Sequence, residues 1–151
     1  MKANLLCCLM IALIIGGCTQ KKSTIIKDSK QLEGAWKLIY AKSIGSDSTA
    51  SKFKLNYFGS QMKMWSKDHF TFVGLFKQKT TILDNFGGGT YKLNGNQYVE
   101  SYLYNAAEDN VEMDVKMTLE IKNDTLVQIY PVDENGKFDP TAYNIEKYVR
   151  F

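Results

Sequence analysis

Two short segments place acidic, basic and phenolic side chains two residues apart: Tyr98, Glu100 and Tyr102 in one, and Glu146, Tyr148 and Arg150 in the other. In a β-strand this spacing puts each set on one face. Arg and Tyr donate hydrogen bonds to carboxylates, so we predict that Tyr148, Glu100 and Arg150 contact the polar end of a ligand. A buried Glu could instead only neutralise Arg150, because buried charges need partners. The two glutamates have no recognised acid and base spacing, so no catalytic residue is predicted.

The segments His69–Lys77 and Gln97–Tyr104 are rich in aromatic residues. Such side chains could fill a core or line a pocket for an apolar ligand, and the pattern leaves both interpretations open. We predict a cavity wall formed by Phe70, Phe72, Tyr98, Tyr102 and Met117.

Other chemistries lack the residues that they need. His69 is the only histidine, so we expect it at the surface and predict no metal site. The three glycines of residues 87–89 precede a strand pattern, whereas a phosphate loop precedes a helix N-terminus. They indicate a turn or a bulge, and no cofactor is predicted. The net charge is only +3 and the charges are interspersed, which argues against nucleic acid as a partner.

Short β-strands joined by turns must position these side chains. From Val111 to Lys122 apolar and polar residues alternate strictly, as in a strand with one buried face. Tight turns are predicted at residues 67–68, 94–96 and 123–124, and loops at residues 83–89 and 133–139. The first strand is predicted over Leu32–Tyr40. Eight to ten strands favour an all-β, up-and-down antiparallel barrel of about eight strands, with a two-sheet sandwich as the alternative.

The N-terminus has the layout of an export signal. Lys2 precedes eleven uncharged residues, Leu5–Ile15, too few for the ~20 that a membrane-spanning helix needs. The stretch Ile15-Gly16-Gly17-Cys18 resembles the bacterial lipobox, whose cysteine accepts a diacylglycerol. We predict a cleaved signal peptide over residues 1–17, lipidation with palmitate-type chains at Cys18, an anchor and tether over residues 18–31, and one domain over residues 32–151. An ordinary cleaved signal that ends in Cys is the alternative.

The domain resembles the lipocalin superfamily, and in particular small lipocalin-like lipoproteins of bacteria. Gly34-Ala35-Trp36 matches the Gly-x-Trp motif of the first lipocalin strand, and Arg150 lies where the family places an arginine that packs on that tryptophan. The resemblance implies a barrel plugged at one end by Trp36 and Arg150 and a small, largely apolar ligand inside. The polar loop Ser43–Lys52 would then act as a lid.

Together these patterns predict a lipid-anchored, periplasm-facing protein of the bacterial cell envelope that binds a small apolar molecule. The membrane, through Cys18, and that small molecule are the expected partners. A filled barrel that docks another envelope protein is the first alternative. A barrel isomerase or cyclase that uses Glu100 or Glu146 is the second.

Overall fold

Eight antiparallel strands close into one up-and-down barrel, which confirms the predicted fold class and excludes the sandwich. The computed structural model describes residues 26, 28–45, 58–78, 80–106 and 113–151. The strands are β1 (Gly34–Ile44), β2 (Phe58–Trp65), β3 (His69–Gln78), β4 (Thr81–Asn94), β5 (Gln97–Asn105), β6 (Met113–Lys122), β7 (Thr125–Tyr130) and β8 (Tyr143–Arg150). Each strand pairs with the next, and β8 pairs with β1 to close the wall.

The alternation of β6 sets its faces as predicted, because Met117 and Leu119 are buried among the core residues. All three predicted tight turns are present, at residues 66–68, 95–96 and 123–124. Asn123 and Asp124 have φ of 47° and 61°, the left-handed conformation that two-residue hairpins require. These turns lie at one end of the barrel, where β2, β4 and β6 finish. We call it the plugged end, and the opposite end, where β1, β3, β5 and β7 finish, the open end.

The predicted loop at residues 83–89 is wrong, since β4 runs through it without interruption. Its glycines allow close approach of the neighbouring strands and do not turn the chain: a Cβ at Gly88 or Gly89 would meet backbone atoms of β3 or β5. A Cβ added to Gly87 would lie 2.6 Å from the ring of Phe72, the residue opposite it on β3. The register shifts between Gly88 and Gly89, so the alternative prediction of a bulge is confirmed. β1 also begins and ends later than predicted, at Gly34 and Ile44.

The folded domain begins earlier than the predicted residue 32. A 3-10 helix over Ser29–Gln31 crosses the plugged end, and Ile26 and Leu32 on either side of it are 1% and 0% exposed. Both belong to the main apolar core, so the predicted tether over residues 18–31 is too long. In the part of the chain that the structure describes, no helix has the length and apolar character needed to cross a membrane.

Several predictions concern residues outside the described ranges. Cys18 and the signal segment are among them, as is most of the proposed lid, because only residues 43–45 of Ser43–Lys52 are described. Ser43 and Ile44 belong to β1, so a loop there begins later than predicted.

Candidate binding cavity

The plugged end is closed by the predicted pair of Trp36 and Arg150. These residues face each other across β1 and β8, and the guanidinium carbon of Arg150 lies 4.3 Å from the centre of the Trp36 ring system. Trp36 is 1% exposed, and its indole N–H donates to the Leu32 carbonyl at 2.7 Å. The predicted contact and the predicted burial of Trp36 are therefore confirmed.

Arg150 does not face the barrel interior, so the prediction that its side chain lies among the inward polar groups is wrong. It is an exposed residue at the end of β8, outside Trp36. Its two terminal nitrogens donate to the carbonyls of Glu33 at 2.8 Å and Gln31 at 2.7 Å. These bonds fasten the N-terminal segment over the barrel end, and the indole separates the guanidinium from the interior.

The half of the barrel next to the plug is packed with aromatic rings. Trp65 meets Trp36 and Tyr148 edge to face, with ring centres 6.4 and 6.1 Å apart. Its indole N–H donates to the Tyr98 hydroxyl at 2.7 Å. Phe70 is 3% exposed and belongs to the same core. Tyr98, Tyr148 and Phe70 thus face the interior as predicted, but they fill it and do not line the free space.

A cavity of about 180 Å³ occupies the half towards the open end. It is lined by Gln61, Lys63, Phe72, Phe76, Asn85, Tyr102, Asn105, Met113, Val115, Met117, Gln128, Tyr130 and Glu146. Three predicted wall residues are among them: Phe72, Tyr102 and Met117. The polar members from β2, β4 and β7 were not predicted, and they make the wall more polar than the aromatic pattern indicated.

Glu100 is 0% exposed and does not line the cavity, but it contacts two residues of the cavity wall, Lys63 and Tyr102. Lys63, at 2% exposure, forms an ion pair with it and also donates to Gln128 at 3.4 Å. The hydroxyls of Tyr98 and Tyr102 donate to its two oxygens at 2.8 and 2.9 Å. Burial, and then the charge of Glu100, raise the pKa of both tyrosines well above 10.0. Both tyrosines therefore remain protonated donors. The cation that neutralises Glu100 is Lys63 and not Arg150.

Glu146 lies on the cavity wall with a different set of partners. The hydroxyls of Tyr130 and Tyr148 donate to its two oxygens at 2.9 and 2.6 Å. The Gln61 amide donates to Tyr148 at 2.8 Å and accepts from Asn85 at 2.6 Å. Burial, and then the charge of Glu146, raise the pKa of Tyr130 and Tyr148 well above 10.0. Both phenols therefore remain protonated and donate to Glu146.

The remaining chemistry-bearing residues sit on the surface. The side chain of His69 is 59% exposed, as predicted, and pairs with Asp68 at 2.6 Å. Within the described ranges, no three His, Cys, Asp or Glu side chains come together as a metal ion would require.

Comparison of the chain with protein-family models, curated proteins and solved structures found no match.

Proposed function

We propose that this chain is a lipid-anchored lipoprotein of the bacterial cell envelope whose barrel binds a small amphipathic molecule. The observation that carries the proposal is the cavity in the half towards the open end of a barrel whose other end is plugged. Asn105 and Met113, where β5 ends and β6 begins, lie on its wall, so the space reaches the rim of the open end. The interior of an eight-stranded barrel holds either side chains or one small ligand. In this barrel, side chains fill the half next to the plug, and the cavity occupies the other half.

The size of the cavity limits the ligand. Pockets for drug-sized ligands start at about 300 Å³, so a cavity of about 180 Å³ does not enclose a whole sterol, tetrapyrrole or fatty acid, and any such ligand would extend beyond the rim. Amide and charged groups share the wall with Phe72, Phe76 and Met117, so a molecule with a polar and an apolar part fits better than a purely apolar one.

The proposed anchor is supported by the order of the basic residue, apolar run, small residues and Cys18. Ile26 is bound at the plugged end, where its N–H donates to the Asn96 side chain at 3.3 Å. Eight residue steps from Cys18 to Ile26 span at most about 28 Å. A lipid on Cys18 would therefore hold the plugged end close to the membrane and leave the open end facing the aqueous compartment.

Metabolic labelling tests the anchor. We expect the full-length chain to incorporate labelled palmitate, and Cys18→Ser to lose the label. Cys8→Ser is the matched control, because the same substitution within the signal segment leaves the lipid acceptor in place. Labelling of Cys18→Ser at the level of the parent chain would refute the anchor.

A cavity-filling substitution tests the binding function. Val115→Phe adds a ring at the wall, whereas Val127→Phe makes the same change on the outer face of β7, between the inward-facing Leu126 and Gln128. Small amphipathic ligands should stabilise the parent chain and Val127→Phe by about 2.7 kcal/mol at a hundredfold excess over Kd, and Val115→Phe much less. A thermal-shift screen measures this. If no compound raises the melting temperature of the parent chain, or if both variants show equal increases, binding in the cavity would be contradicted.

The two alternative functions have less support. A filled barrel that serves only as an interaction module would have no cavity. A barrel isomerase or cyclase would need a carboxylate free to move a proton. Glu100 is held by Lys63 and two tyrosines, and both oxygens of Glu146 accept from the hydroxyls of Tyr130 and Tyr148.

A further inference from the structure

Glu146 brings a negative charge to the cavity wall without a cation beside it. We propose that the ligand of this cavity carries a protonated nitrogen, as in a small primary amine, and that the nitrogen pairs with Glu146. This inference rests on the proposed binding function and adds the chemical class of the ligand.

The first support is the charge balance of the interior. The buried ionisable Lys and Glu side chains of the described residues are Lys63, Glu100 and Glu146. Lys63 and Glu100 pair with each other. No Lys, Arg or His nitrogen of the described residues lies within 4.0 Å of the Glu146 carboxylate. Because an unpaired buried charge is unfavourable, a cationic ligand that reaches this carboxylate gains affinity.

The second support is the hydrogen-bonding capacity left on Glu146. An ionised carboxylate offers about four acceptor positions, and the hydroxyls of Tyr130 and Tyr148 use one on each oxygen. Each oxygen can therefore accept one more bond. The ammonium group of a primary amine has three N–H donors and no acceptor, which matches what is left.

The third support is the apolar part of the same wall. Phe72, Phe76 and Met117 are 8%, 6% and 2% exposed and line the same space as Glu146. An apolar cavity of about 150 Å³ holds a benzene molecule, so 180 Å³ can hold one ring with a short aminoalkyl chain. A small arylalkylamine or a short branched alkylamine has this composition and size.

An anionic ligand fits these charges less well, although Lys63 also lines the cavity. The charge of Lys63 is neutralised by Glu100, and its ammonium group also donates to Gln128. An anion would add a second negative charge next to Glu146 with no free cation of the described residues to balance it.

Three probes of similar size test the inference on the full-length chain purified in detergent: 2-phenylethylamine, 2-phenylethanol and phenylacetate. By titration calorimetry we expect the amine to bind at least about tenfold more tightly than the alcohol, which corresponds to ~1.4 kcal/mol, and the anion to bind most weakly. In Glu146→Gln the affinities for the amine and the alcohol should differ by no more than about twofold, while the affinity for the alcohol stays as in the parent chain. Glu134→Gln, the same change on an exposed side chain, should keep the preference.

The outcomes separate this inference from the function on which it rests. Equal binding of amine and alcohol by the parent chain would overturn the cationic ligand and leave the binding cavity in place. Tighter binding of phenylacetate than of the amine would also overturn the cationic ligand and leave the binding cavity in place. Failure of every probe, together with a negative screen of neutral amphipathic molecules, would overturn both. If Glu146→Gln does not fold, the comparison of the three probes on the parent chain still decides the matter.

Discussion

Replacing Lys63 with Met tests whether the buried ion pair holds the interior together. The side chains of Lys63 and Glu100 are 3% and 0% exposed, so neither charge is stabilised by water. The ammonium group also lies 5.1 Å from the ring centre of Trp65 and 5.2 Å from that of Phe70. Met keeps the apolar stem and removes the charge, which leaves Glu100 as an uncompensated buried carboxylate. Breaking such a pair costs about 3–5 kcal/mol, a large part of the 5–15 kcal/mol of a typical domain.

The matched experiment is a double-mutant cycle with Glu100→Gln. In the double variant no charge is left at this point. The tyrosine hydroxyls donate to different oxygens of Glu100, so the glutamine oxygen can accept from one of them, while the glutamine NH2 group can donate to the oxygen of the other. We therefore expect it to be more stable than Lys63→Met alone, with a coupling energy above about 2 kcal/mol. Urea unfolding followed by the fluorescence of the buried tryptophans measures all four proteins. Loss of less than about 0.5 kcal/mol in Lys63→Met, or strictly additive effects, would refute the reasoning.

Three further predictions follow from the packing and the tyrosines. Trp36→Ala should lower the free energy of unfolding by roughly 3–5 kcal/mol because it empties the plugged end, and a loss below about 1 kcal/mol in urea would contradict the plug. Gly87→Ala should cost about 1–3 kcal/mol because its Cβ meets the ring of Phe72, and Phe72→Leu should recover part of that loss. Burial and the charge of Glu146 raise the pKa of Tyr148 in the folded state. The contribution of Tyr148 to the free energy of unfolding is therefore complete below pH ~10. It is lost as the pH rises further, because this phenol then ionises in the unfolded chain and not in the folded one. Tyr148→Phe should make the alkaline decline of stability shallower by about 1.4 kcal/mol per pH unit, and an unchanged slope would show that this phenol also ionises in the folded protein.

The fold could be predicted because it depends on local patterns, and the plug because the resemblance to the lipocalin superfamily implied it. Strict alternation in β6 identifies its inward face, and Met117 and Leu119 are indeed buried. The Gly-x-Trp motif and Arg150 carry the resemblance to the lipocalin superfamily that implied their contact, and the structure confirms that contact.

The polar part of the cavity could not be predicted, because in β2 the hydrophobic pattern indicates the opposite face. Met62 and Met64 alternate with Gln61 and Lys63, so hydrophobicity alone places the methionines inside. In the structure Gln61 and Lys63 are 7% and 2% exposed, while Met64 is 37% exposed. The unfavourable burial of the Lys63 charge is offset by its ion pair with Glu100. Glu100 lies 37 positions further along the chain, and only the strand register brings the two side chains together.

The distribution of inward side chains explains why this barrel has a cavity at one end only. Along β2 the inward residues change from Trp65 next to the plug to Lys63 and then Gln61, and the residue opposite Gln61 on β3 is Gly74. Smaller and more polar side chains therefore leave space towards the open end. Larger apolar residues there would bury more apolar surface and avoid the desolvation of charged groups.

Every fully buried side-chain nitrogen and oxygen of the described residues nevertheless has a hydrogen-bond partner. A polar network that is complete among its own members, yet surrounds an unfilled space, is what a binding site with pre-positioned groups requires. The proposed ligand would account for the polar groups placed along this wall, and the charge on Glu146 is the feature from which we propose that the ligand is cationic.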